Sequence, residues 1–122
     1  MPLPATSHQS LAANVSLALA IKRLGQLLDL SAVQETQLGV MKAETGPRVR
    51  ALGEHLIVAR KQLNEQIDSE IFDEASIRRS AEGVAAAEAD LAVERASISS
   101  SVRAILTYEQ RQQLTRLREL PN

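Results

Sequence analysis

The feature that most constrains this chain is a nine-residue phrase that occurs twice. Leu30-Ser31-Ala32-Val33-Gln34-Glu35-Thr36-Gln37-Leu38 and Leu106-Thr107-Tyr108-Glu109-Gln110-Arg111-Gln112-Gln113-Leu114 share the pattern Leu-(Ser/Thr)-x-x-Gln-x-x-x-Leu. Each copy reads as a helix start. A hydroxyl at the N-cap accepts from the third helical amide, while the Gln three residues on reaches back to the cap's own N–H, a capping box. Each box stabilises its start by about 1 kcal/mol. The apolar staple that often accompanies such a box is missing, because Glu35 and Arg111 follow the two glutamines. Tertiary packing is therefore expected to hold the Leu residues.

The residues between and around the two copies favour helix throughout. Phe72 and Tyr108 are the only aromatics among 122 residues, there is no Trp or Cys, and Gly and Pro are few. Ala, Leu, Glu, Gln and Arg are good helix formers, so the fold class is all-α with thin aliphatic stripes. A net charge of -1 gives no reason to expect nucleic acid as a partner. Without Cys, disulfides and thiolate metal sites are excluded.

Residues 1–12 hold two prolines and several small polar residues and read as a disordered lead-in. Residues 13–120 read as one helical domain. Leu17, Ile21, Leu24 and Leu28 share a face and place a short first helix over 13–28, ending at Asp29-Leu30. The run Leu11 to Ile21 is too short to span a bilayer, and Lys22 and Arg23 follow it instead of preceding it as in a signal peptide. From Ala32 to about Ser69, Leu38, Met41, Val49, Leu52, Leu56, Ala59, Leu63 and Ile67 keep near-heptad spacing. Gly46-Pro47 interrupts the run, and the return of the stripe at Val49 favours one kinked helix over two.

Asp68 to Glu74 is the strongest turn, with Asp73 placed to cap the next helix. That helix carries Ile77, Ala81, Val84, Glu88, Leu91, Arg95, Ile98, Val102 and Ile105 at alternating spacings of 4 and 3, a coiled-coil period. Glu88 and Arg95 then fall in the seam, where each would need an opposite charge. The second phrase starts a last short helix edged by Leu114, Leu117 and Leu120 and stopped by Pro121. Four helices follow: a long antiparallel hairpin about Phe72, and two short helices brought together at one end by the matching caps. Such a hairpin leaves apolar stripe uncovered, and a homodimer is the economical cover.

Candidate chemistry is sparse. His8 and His55 are far apart, and His55 has no metal-ligating residue four positions on. The acidic turn lacks calcium-loop spacing and its Gly. Ser99, Ser100 and Ser101 have no base to activate them. No catalytic residue, metal ligand or cofactor is assigned. Arg48, Arg50, Arg60, Lys61, Arg78, Arg79 and Arg103 alternate with acids as a solvated surface. Arg48, Leu52, Leu56 and Arg60 make the best candidate for loose contact with unfolded chains, since Arg stems add apolar contact while their heads attract acidic segments.

The pair Leu30-Ser31-x-x-Gln34 and Leu106-Thr107-x-x-Gln110, flanking a helical hairpin, resembles the LTxxQ family of bacterial envelope-stress proteins. That family holds Spy/CpxP-like periplasmic proteins and heavy-metal sensor and resistance relatives. The similarity covers residues 20–120. It implies a cradle-like antiparallel homodimer, a periplasmic address and ATP-independent binding of unfolded protein clients on a concave face. The alternative it implies is a heavy-metal resistance or sensor accessory that contacts a membrane sensor protein. A cytoplasmic coiled-coil adaptor is the third reading. Ser31 stands for the family's Thr and keeps its cap chemistry, the charge balance is more acidic than such a cradle implies, and no His and Met cluster of the metal-sensing branch is evident.

Overall fold

A computed structural model describes residues 22–119; the lead-in and most of the expected first helix lie outside them, as do Leu120 and Pro121. Four helical segments and no strand occur among the described residues: α1 (22–27), α2 (Ala32–Ile67), α3 (Glu74–Ile105) and α4 (Tyr108–Glu119). α2 and α3 pack against each other as the expected antiparallel hairpin.

α2 is one uninterrupted helix with Pro47 inside it. A proline there removes one amide donor and crowds the residue before it. That residue is Gly46, which has no Cβ for the proline ring to meet. The helix therefore continues. Two residues before the proline, buried Thr45 satisfies its hydroxyl on the Met41 carbonyl one turn back, at 2.8 Å.

The core is a single seam. Leu38, Met41, Val49, Leu56 and Ala59 of α2 meet Ala87, Leu91, Ile98 and Val102 of α3, and Leu28 and Leu106 close the joint end. Leu24, Leu30, Leu52, Val84, Ile105 and Leu114 pack around it half-buried. Burying a large aliphatic side chain contributes about 1.5–3 kcal/mol.

The seam departs from the expected stripe in three places. Ile67 is 56% exposed at the hairpin tip and does not join the core. Thr45 and Gly53 are buried in α2 although neither is a large apolar residue. In α3, Ala81, Glu88 and Arg95 are exposed, and the seam instead takes Ala87, at 1% exposure, with Glu94 half-buried beside it. The interval from Val84 to Leu91 can be divided as 3 then 4 or as 4 then 3, and so can that from Leu91 to Ile98. Spacing alone does not choose between neighbours about 100° apart round the helix. Packing chooses the small residue.

At the tip, Asp73 caps α3 as expected. Its Oδ1 accepts from the Ser76 amide at 3.2 Å and its Oδ2 from the Ser76 hydroxyl at 2.8 Å. These bonds, the side-chain one foremost, hold the Asp73 carboxyl below the ordinary aspartate range.

Candidate functional site

The two phrases meet. Each forms its capping box: Gln34 N–H donates to Ser31 Oγ at 3.2 Å and Ser31 N–H to Gln34 Oε1 at 2.9 Å, while Gln110 N–H donates to Thr107 Oγ1 at 3.2 Å and Thr107 N–H to Gln110 Oε1 at 2.9 Å. The remaining capacity of the two amides is spent across the joint. Gln34 Nε2 donates to Gln110 Oε1 at 2.6 Å, and Gln110 Nε2 donates to Gln34 Oε1 at 3.2 Å. The second proton of Gln34 Nε2 goes to the carbonyl of Ile105 at 3.1 Å, and that of Gln110 Nε2 to the carbonyl of Leu28 at 3.3 Å.

Each glutamine thus uses both donors and both acceptors. Gln34 caps the start of α2 and the end of α3; Gln110 caps the start of α4 and the end of α1. One amide pair satisfies orphan backbone groups at four helix termini. A glutamate in either position would accept from the cap amide but donate to nothing, so the chemistry requires Gln. The arrangement is nearly symmetric, with one extra residue in the first joint: Asp29, at a positive φ of 51°, a conformation that Asp tolerates better than most residues.

Arg111, which stands where an apolar staple would be, has a different task. Its Nη1 donates to the carbonyls of Arg103 at 3.1 Å and Leu106 at 3.2 Å, capping the C-terminal end of α3 from α4. Around the amides, Leu28, Leu38 and Leu106 are buried and Leu30 and Leu114 pack half-buried. The phrase's Leu residues are the apolar shell of the joint.

The four candidate contact residues lie along α2. Leu56 is buried in the seam and Leu52 is half-buried against it. Arg48 Nε lies 3.3 Å from Glu94 Oε1, an ion pair without hydrogen-bond alignment, and Arg60 Nη2 donates to Glu88 Oε1 at 3.1 Å. Twelve residues separate the two arginines and six the two glutamates, so each pair of positions stands about 120° apart round its helix. The ion pairs therefore flank the seam on opposite sides, and the four residues do not share one face. Glu88 does meet an opposite charge on the facing helix, from outside the seam.

His55 is exposed on α2, and among the described residues no group of three or more His, Asp or Glu side chains gathers where a metal ion could sit. His8 lies outside the described residues. No helix among them is long and apolar enough to cross a membrane.

The sequence profile described as "LTXXQ motif family protein" matches residues 17–118, which includes both joints and the whole hairpin between them. The chain belongs to the LTXXQ motif family. Membership carries, in general terms, the accessory roles of this family in periplasmic stress or metal resistance. No curated protein and no solved structure matches the chain.

Proposed function

We propose that this LTXXQ chain is a periplasmic homodimer that binds unfolded or misfolded chains without ATP, as a chaperone of the cell envelope. The observation that supports this reading most is a hairpin one seam thick that leaves both apolar and ionic groups exposed. Val33, Val40, Val58 and Val93 are exposed along the long helices, and Ile67, Ile71 and Phe72 at the tip. Arg48 is largely exposed even while paired. Such a surface offers many weak apolar contacts and mobile charges, which suits a client with no fixed shape.

In this proposal Arg48, Leu52 and Arg60 contribute to client contact, on the two flanks of the seam. Leu56 supports them from beneath. Dimerisation would join two hairpins into a wider surface. The test is fluorescence anisotropy with a permanently unfolded, labelled chain and its folded form as probes. Binding of the unfolded probe at micromolar protein, without nucleotide and with little binding of the folded one, is expected; equal or absent binding of both refutes the proposal. The metal-resistance alternative predicts micromolar or tighter heats with zinc, nickel, cobalt or copper in calorimetry.

A further inference from the structure

The turn between α2 and α3 holds two apolar side chains in water. The Asp68 N–H closes α2 on the Asn64 carbonyl at 2.9 Å, the Ile71 N–H donates to Ser69 Oγ at 3.2 Å, and Asp73 caps α3. On this fixed turn Ile71 is 77% and Phe72 81% exposed, more than any other large apolar residue among those described. Ile67, at the end of α2, is exposed as well. The charge around them has one sign. Residues 62–77 carry five carboxylates, Glu65, Asp68, Glu70, Asp73 and Glu74, and no Lys, Arg or His. Glu74 pairs with Arg78 at 3.2 Å and Asp73 is taken up by Ser76, whereas Glu65, Asp68 and Glu70 lie exposed.

We infer that the tip is the part of the client-binding surface that selects unfolded segments in which Arg or Lys stands beside apolar residues. This deepens the client binding proposed above and rests on it. A guanidinium or ammonium over the Phe72 ring is attracted by the negative face of the π-system, and a carboxylate of Glu70 or Asp68 pairs with the same cation. An apolar neighbour in the segment covers Ile71 or Ile67. Exposed ion pairs contribute little singly, so the preference comes from the ring, the carboxylates and the apolar contact acting on one segment. Because the turn is fixed by its own hydrogen bonds, it loses little freedom when the segment docks. The same charge repels an anionic lipid surface, an acidic segment and a second tip. A metal ion does not fit, since no group of three or more acidic or His side chains gathers for one among the described residues.

Three labelled, unstructured peptides of equal length and equal Leu and Phe content, with Arg, Glu or Ser at the intervening positions, test this by fluorescence anisotropy with the full-length protein. The Arg peptide is expected to bind about tenfold tighter than the Glu peptide, with the Ser peptide between them, and its advantage to shrink as salt screens the tip. Asp68→Lys with Glu70→Lys is expected to reverse that order, and the milder pair Asp68→Asn with Glu70→Gln to abolish it, with the Ser peptide unchanged. Phe72→Leu keeps an apolar contact but removes the ring, and is expected to weaken the Arg peptide about threefold and the Ser peptide little. All three positions are exposed, and circular dichroism checks that helix content is kept. Equal or absent binding of the three peptides while the permanently unfolded probe still binds, or an Arg preference that survives both charge variants, overturns the selection and leaves the client reading standing. Loss of dimer in sedimentation with Phe72→Leu, at unchanged peptide affinity, makes the tip a contact between copies and also overturns it. No binding of any peptide or of the unfolded probe overturns both.

Discussion

Two side chains, Gln34 and Gln110, concentrate the specificity of this fold. Neutral hydrogen bonds contribute about 1 kcal/mol each, but leaving a buried partner unmade costs about 1–3 kcal/mol. Removing one amide orphans a cap N–H, a carbonyl and half of the other amide. Gln34→Ala is therefore expected to lower the unfolding free energy by about 3 kcal/mol, and Gln34→Glu by a comparable amount because it cannot donate. In a double-mutant cycle with Gln110→Ala by urea unfolding, the coupling should exceed about 1 kcal/mol; additive losses would mean that the two caps act separately. Asp73 supplies a pH dependence of known sign. Its folded pKa is depressed by the Ser76 bonds, so its contribution is present above the ordinary aspartate value of about 3.9 and is lost as pH falls through the lower folded value. The Ser76 amide resonance should titrate with a midpoint below that ordinary value, and Asp73→Asn should abolish the titration while keeping a cap.

At the scale of elements, what is local was legible. The caps at Ser31, Asp73 and Thr107, the turn about Phe72 and the continuity of α2 past Pro47 follow from spacings of three or four residues and from the stripe's return at Val49. What is distant was legible only in outline. That the joints should meet could be inferred from their matching form, but not that each amide would cap the other's preceding helix, since those bonds span 71 to 82 residues. The choice of Ala87 and Glu94 over Glu88 and Arg95 depended on which neighbour packs against α2. The separation of Arg48 from Arg60 across the seam follows from helix geometry once the seam is placed. Pro47 is the element-scale prediction. Because the helix runs through it, Pro47→Ala should raise the unfolding free energy by about 1–3 kcal/mol in urea titration. An unchanged or lowered value would show that the proline is accommodated without cost.

For the whole molecule, the paired joint gives a hairpin of two long helices one rigid end, with α1 and α4 folded against it. The other end is an acidic tip whose apolar residues Ile71 and Phe72 are exposed among the described residues. A single seam leaves both flanks of the hairpin open, which is costly for an isolated domain and useful for one that works by offering surface. The proposed function uses that surface directly. Light scattering from a chemically denatured client diluted into nucleotide-free buffer tests the claim most directly. Suppressed scattering at one dimer per client is the predicted result; scattering unchanged at a several-fold excess of this protein would contradict it.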